Sequence, residues 1–227
     1  MKATLFIPVL NEIEGLKAMM PQIDLSWVEE ILFVDGGSTD GSIEYARQYA
    51  AEHTGRTKVH VMTQKSKGLT GAYDDAIPAA SGDIMVAFSP DGNSIPGLIP
   101  QLTGKIKEGY DMAIASRYLS GAKSEDDDAV TAFGNWLFTA MINLLFGARY
   151  TDSLVMLRAW RREIIGKSSG VARAGFDPFL SIWCAKKKLK VAEIPGDEPK
   201  RIGGVRKMNP LLNGLAILQL MAEQLLH

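Results

Sequence analysis

The stretch EILFVDGGSTDGSIEYARQYAAEH, Glu30 to His53, decides the fold. Ile31 to Val34 form an apolar run without alternation, the pattern of a strand buried on both faces. Asp35-Gly36-Gly37-Ser38-Thr39-Asp40-Gly41 then forces a turn. Ser42 stands near the start of a helical pattern that runs to His53. A buried strand, a polar turn and a helix make the repeating unit of an α/β fold with a parallel sheet.

The unit recurs on both sides. ATLFIPV (3–9), KVHVM (58–62), DIMVAF (83–88) and DMAIASR (111–117) read as strands. EIEGLKAMMPQI (12–23), GAYDDAIPAA (71–80) and LIPQLTGKIKEG (98–109) read as helices between them. The second half is less regular. It predicts a helix over Val130–Phe146, a strand SLVMLRAW (153–160), a helix DPFLSIWCAKKKL (177–189) and a strand KVAEIP (190–195). A last helix, 209–226, takes Asn209 as N-cap and Pro210 in its first turn. No linker divides the chain, so 1–227 is expected to be a single domain, with the regular 1–118 and the less regular 119–227 as its two halves.

The 227 residues are 46% hydrophobic and 22% charged, enough apolar material for a sizeable core. A net charge of −1 argues against nucleic acid as a partner. Cys184 is the one cysteine, so no internal disulfide can form, and a reducing cytoplasm fits. Its setting, Ile182-Trp183-Cys184-Ala185, predicts a small core residue. The N-terminal MKATLFIPVLNE reads as a first strand rather than a signal peptide, because its apolar run is short and meets Asn11-Glu12. No segment is expected to span a membrane; Ala129–Gly147 comes nearest but carries Thr131, Asn135, Thr139 and Asn143. The acidic block SEDDD (124–128) predicts a mobile loop.

In doubly wound folds ligands sit beyond the carboxyl ends of the strands. The residues there are Pro8 to Glu12, Asp35 to Asp40, Gln64 to Gly68, Asp91-Gly92-Asn93 and Ser116-Arg117-Tyr118. The first turn lacks the glycine pair of a dinucleotide site, and no Walker Gly-Lys-Ser/Thr occurs. The glycine turn VDGGSTDG is flanked by carboxylates, which repel a pyrophosphate but suit ribose hydroxyls and base N–H groups. A diphosphate therefore needs another partner, and a divalent cation (Mg²⁺ or Mn²⁺) on Asp91 and Asn93 supplies one. Asp-Gly-Asn is equally a good turn, and that reading stands beside the metal one.

PVLNE, VDGGSTDGS, KGLTGA, SGDIMVAFSPDGN and ASRY stand in the order typical of family 2 glycosyltransferases of GT-A fold, which this chain resembles. TDSLVMLRAWRREI resembles a later segment of that family, and RIGGVRK (201–207) is similar to a motif of its dolichyl-phosphate mannosyltransferases. The resemblance implies transfer of a sugar from a nucleotide-diphospho-sugar to polyprenyl phosphate; a saccharide hydroxyl in surface-polysaccharide assembly is the alternative acceptor. A nucleotidyltransferase-like protein and a non-catalytic nucleotide-sugar-binding module are rival readings.

By the resemblance, Glu12 and Asp35 hold base and ribose, and Pro8 and Val9 line that pocket. Lys65 approaches the nucleotide. Asp91 and Asn93 take the metal, and Asp91 thereby contacts the donor. Asn93 stands where the family carries a second carboxylate, which implies weaker metal binding. Asp152 lies beside the reacting centre, with Arg149 or Arg158 as its partner if it is only structural. Arg117, Arg201 and Lys207 contact phosphates, with Gly203-Gly204 as the hinge of a closing loop. The segment 154–157 lacks the family's glycine, and Arg206 replaces its usual serine. Phe133, Trp136 and Phe138, with lysines from Lys186 to Lys190, suit a surface touching the inner face of a membrane, while core packing is the plainer alternative. A homo-oligomer is compatible with the sequence.

Overall fold

The computed structural model describes residues 1–165, 175–203 and 210–226. Seven strands form one sheet: β1 (Ala3–Val9), β2 (Glu30–Asp35), β3 (Lys58–Thr63), β4 (Ile84–Ala87), β5 (Met112–Ser116), β6 (Arg158–Arg161) and β7 (Val191–Pro195), in the order β3-β2-β1-β4-β6-β5-β7. Every pairing is parallel except those of β6, which runs antiparallel to β4 and β5. The expected mostly parallel sheet is thus present, with one reversed strand inserted near its middle.

Helices cover both faces. On one face, α1 (Ile13–Met19), α2 (Ser42–Glu52) and α4 (Ile99–Lys107) bury Leu16, Tyr49 and Leu102 against Leu5, Phe33 and Val86. On the other, α3 (Gly68–Ala79), α5 (Ala129–Phe146), α6 (Phe176–Lys186) and α7 (Pro210–Leu226) bury Tyr73, Ile142, Leu180 and Leu220 against Phe6, Met85 and Trp160. Each such fully buried large apolar side chain contributes roughly 1.5–3 kcal/mol. The continuous apolar strands follow from this double cover. Only β3, at the sheet edge, alternates between exposed and half-buried residues. Cys184 lies in α6 with no exposure, and burial pushes its thiol up to about 12.

Two expectations need correction. SLVMLRAW is not one strand, since regular pairing covers only Arg158–Arg161. Ahead of it, the Asp152 carboxylate accepts hydrogen bonds from the backbone N–H of Leu154 (3.2 Å) and Val155 (3.2 Å), curling the chain into a side-chain-stabilised turn. Nor is the acidic block a free loop. Glu125 N–H donates to the Glu198 carbonyl (2.8 Å), Asp126 accepts from Asn93 Nδ2 (2.9 Å), and Asp128 caps α5 by accepting from Thr131 N–H (2.7 Å). The three aspartates each have a donor within reach, which a net-charge argument does not foresee. Asn209 lies outside the described residues.

The helix α5 is built inside out. Its polar residues Thr131, Asn135, Thr139 and Asn143 recur every fourth position, so they share one face. That face meets the protein: Asn135 Nδ2 donates to Tyr118 Oη (2.9 Å), Thr139 Oγ1 pairs with Ser153 Oγ (2.9 Å), and Asn143 Nδ2 donates to the Tyr150 carbonyl (2.8 Å). Ile142 still packs into the core, but many of the other apolar residues point outward, with Trp136 61% and Leu144 83% exposed. The unbroken 18-residue segment has mean hydropathy 1.4, long and apolar enough to cross a membrane, contrary to the expectation that its four polar residues would disqualify it. Beside it, α7 exposes Leu211, Leu212, Leu215 and Leu218, and packs through Gly214, where a Cβ would come within 3.1 Å of Phe138.

Candidate active site

The loops after β1 and β2 are laced together at the carboxyl edge of the sheet. Asn11 (φ 53°) accepts from Thr39 N–H through Oδ1 (2.8 Å) and donates its own N–H to Ser38 Oγ (3.0 Å). Glu12 N–H donates to Ser42 Oγ (2.8 Å), and Ile13 N–H to Asp40 Oδ2 (3.1 Å). These bonds leave a cleft of about 250 Å³ lined by Asn11, Glu12, Ile13, Glu14, Gly15, Asp40 and Ile202. Gly15 makes it possible, because any Cβ there would lie 2.2 Å from the Pro90 carbonyl oxygen. The first helix thereby rests directly on the backbone that leads to Asp91.

Asp35 is buried at the end of β2, and its carboxylate accepts from Gly37 N–H (2.9 Å) and Ser38 N–H (3.2 Å). It builds the turn that ends β2. Val9 is buried and Pro8 half-buried on the neighbouring strand, paired with Asp35 and Val34 respectively. Lys65 is exposed; its N–H donates to Asp75 Oδ2 (2.5 Å).

The Asp91-Gly92-Asn93 segment is both a turn and something more. Asp91 Oδ1 accepts from Asn93 N–H (3.1 Å), which closes the turn, with Gly92 at φ 93°. Asp91 Oδ2, however, meets Arg201 Nη2 at 2.8 Å. Asn93 Oδ1 is buried with no hydrogen-bond donor among the described residues. A buried orphan oxygen beside a buried carboxylate fits two ligands of a hard cation. Among the described residues no cluster of three or more His, Cys, Asp or Glu is placed to hold a metal.

A second charged group lies at the end of β5. Arg117, 7% exposed, donates from Nε to Asp152 Oδ2 (2.7 Å) and from Nη2 to Asp152 Oδ1 (3.1 Å). Its Nη1 lies 3.3 Å from Glu198 Oε2 and 3.6 Å from Asp127 Oδ2. Burial alone lowers the pKa of a guanidinium; Asp152, by charge and hydrogen bond, and then Glu198 more than offset it, so Arg117 is held firmly cationic. Burial raises Glu198 above the usual carboxylate range, against the opposing pull of Arg117. Asp152 also takes its N–H to Glu193 Oε1 (3.0 Å). Its ion-pair partner is thus Arg117, not the expected Arg149 or Arg158; Arg158 Nε lies 3.5 Å from Asp177 Oδ1 and holds the α6 side of the core.

Of the predicted residues, Glu12 lines the cleft, Asp91 and Asn93 share one turn that Arg201 reaches, Arg117 holds Asp152, and Asp35 closes its own turn at the end of β2. Lys207 lies outside the described residues. Sequence reasoning passed over Glu198, Asp126, Asp127 and Glu193. For Glu198, Asp126 and Asp127 the only signal was acidity in loops, which is usually solvated, and Glu193 is a lone carboxylate within β7.

Comparison with known proteins bears on this geometry. The family described as Glycosyl transferase family 2 matches residues 4–166. A dolichol-phosphate mannosyltransferase of Pyrococcus furiosus is 35% identical over 212 residues, 86% of this chain and 56% of that protein. A dolichyl-phosphate hexose transferase of Haloferax volcanii is 27% identical, covering 91% of this chain and 86% of the relative. An undecaprenyl-phosphate mannosyltransferase of Micrococcus luteus is 26% identical, covering 96% and 92%. This chain thus spans just over half of the Pyrococcus relative and most of the other two. Among solved structures, glucosyl-3-phosphoglycerate synthase from Mycobacterium tuberculosis, in complex with Mn²⁺ and UDP-glucose, superposes with TM-score 0.72 at 19% identity, over 98% of this chain and 78% of that one. The fold is GT-A, the ordered motifs sit at one sheet edge, and the chain belongs to glycosyl transferase family 2.

Proposed function

We propose that this protein is an inverting glycosyltransferase that moves a sugar from a nucleotide-diphospho-sugar to a polyprenyl phosphate. The observation that carries the reading is the tie between the outward-facing apolar helix and the buried ion pair. In α5, Asn135 bonds Tyr118 Oη and Asp127 Oδ2 (3.1 Å), and Asp127 lies against Arg117, which holds Asp152. An acceptor lying along the apolar face of α5 and α7 would bring its phosphate to that group. The relatives named for dolichyl- and undecaprenyl-phosphate transfer support the same acceptor class.

In this reading residues 1–118 bind the donor and 119–227 the acceptor. Glu12 and Asp35 take the ribose and base, with Pro8 and Val9 behind them and Lys65 at the rim. A divalent cation held by Asp91 and Asn93 would neutralise charge on the departing diphosphate. A phosphate oxygen of the acceptor attacks the anomeric carbon, the bond to the diphosphate breaks, and the nucleoside diphosphate leaves with the electron pair. The acceptor is already anionic, so no strong base is needed. Asp152 suits this role, since both its oxygens are engaged by Arg117 and it is poised to orient rather than to abstract a proton. Arg201 and Lys207 supply positive charge near the phosphates. The enzyme works as a peripheral protein on the cytoplasmic face of a membrane, with α5 and α7 in the interface.

The test is incubation of labelled nucleotide-sugars, one by one, with the protein and either polyprenyl phosphate in vesicles or free oligosaccharides. Label in the lipid fraction is expected. Label only in saccharide overturns the acceptor assignment, and donor binding without transfer to either overturns the enzymatic one.

A further inference from the structure

Asp91 is the carboxylate on which the proposed cation and diphosphate would meet, and the chain has already placed a cation there. Arg201 Nη2 sits 2.8 Å from Asp91 Oδ2, in a setting where the Asp91 side chain is 8% and the Arg201 side chain 23% exposed. The backbone around it is fastened to the same motif. Ile202 N–H donates to the Asp91 carbonyl (2.6 Å), and Arg201 N–H lies 3.4 Å from Asp126 Oδ1, the carboxylate that also accepts from Asn93.

Two glycines allow this seating. A Cβ on Gly92 would lie 2.6 Å from Ile202 Cγ1, and one on Gly203 would lie 2.0 Å from Glu14 Oε2. Both have positive φ, 93° and 68°. Ile202 thereby closes one wall of the cleft. A hard cation binds carboxylate oxygen at about 2.0–2.6 Å, so it and the guanidinium cannot share Asp91 Oδ2 without close like-charge repulsion.

We infer that Arg201 is a built-in competitor for the divalent cation: it neutralises Asp91, holds residues 201–203 down on the site, and must be displaced when a metal–diphosphate complex binds. This rests on the reading of Asp91 as the metal- and diphosphate-binding carboxylate. Metal alone brings no anion to receive the displaced guanidinium, so it binds weakly. A metal–nucleotide complex brings the phosphates that receive it. Metal and nucleotide are therefore coupled through Arg201, each raising the affinity of the other.

The experiment is a Mn²⁺ titration followed by the electron paramagnetic resonance of free Mn²⁺, with no nucleotide present, on the full chain and its Arg201→Gln, Arg201→Lys and Asp91→Asn variants. Removing a competing ion pair should tighten Mn²⁺ binding by about five- to tenfold in Arg201→Gln. Arg201→Lys keeps a cation and should stay near the parent, while Asp91→Asn should lose the site. Repeating the titration with a nucleoside diphosphate should show less metal–nucleotide coupling in Arg201→Gln than in the parent. Mn²⁺ affinity in Arg201→Gln equal to or weaker than the parent's overturns the inference. So does an equal gain in both Arg201 variants, which would make loop loosening the cause and not charge. If no nucleotide-sugar is bound or transferred yet Arg201→Gln alone tightens Mn²⁺, the proposed function fails and the competition stands.

Discussion

Arg117 and Asp152 form one unit, joined by Nε to Oδ2 at 2.7 Å and Nη2 to Oδ1 at 3.1 Å, with Asp152 completely buried. Removing one partner leaves a buried charge without compensation, which costs about 3–5 kcal/mol. Arg117→Ala should therefore lose that much stability in urea denaturation. The double variant Arg117→Met/Asp152→Asn should lose less than the two single losses together, because neither charge is then stranded. Additive losses would show that the two residues act separately.

Asp35 builds a turn and, in the proposed function, also holds the donor, so its substitution should show both. Its carboxylate accepts from Gly37 and Ser38, so Asp35→Ala removes the turn's acceptor as well as a donor contact. Calorimetry with the cognate nucleotide should show a loss of roughly 1.5–3 kcal/mol, the range for hydrogen bonds to a charged group. Unchanged affinity would reject Asp35 as a donor residue.

Asn93→Asp is more than the addition of a metal ligand. Asn93 Nδ2 donates to Asp126 Oδ2, so an aspartate there loses the donor and faces a second carboxylate. The variant should have a lower Tm than the parent without metal, and Mn²⁺ should restore more stability to it, following RT ln(1 + [L]/Kd). Equal Mn²⁺ shifts in parent and variant would show that the segment is only a turn.

Glu198 gives a pH dependence of stated sign. Its folded pKa is raised by burial, so the folded state holds the proton more tightly than the unfolded state does. The stability this contributes is present below the ordinary glutamate range and is lost as pH rises through the raised value. Glu198→Gln removes the titration. Its Tm relative to the parent should improve as pH rises above the ordinary glutamate value of about 4.3. A difference that stays flat or moves the other way would contradict the assignment.

Trp136 is 61% exposed on the outward face of α5. Trp136→Glu should leave stability within about 0.5 kcal/mol, as exposed substitutions generally do. Co-sedimentation with anionic vesicles should fall sharply if that face enters the interface. Vesicle binding equal to the parent's would remove α5 from the membrane contact.

What the sequence determined by itself is the layered α/β sheet and its carboxyl-edge loops. Unbroken apolar runs such as Ile31–Val34 can be buried only between two helix layers, and Asp35-Gly36-Gly37 can only turn, so local chemistry and burial agree. Residues whose role depends on a partner far along the chain were decided by the tertiary structure. SLVMLRAW had strand composition, yet Asp152 drew the N–H groups of Leu154 and Val155 out of the ladder. The four polar residues of α5 looked like interruptions of an apolar helix, until their common spacing proved to be the face that grips Tyr118, Ser153 and Tyr150. SEDDD looked solvated because some of its donors, Asn93 for Asp126 among them, are far along the chain and meet it only in the fold. Arg201 could be read as a phosphate ligand from its motif, but its seat on Asp91 exists only because Gly92 and Gly203 let two distant segments touch. Apolar periodicity is written locally in the chain, whereas the pairing of charges across a fold is set by which loops the sheet order brings together.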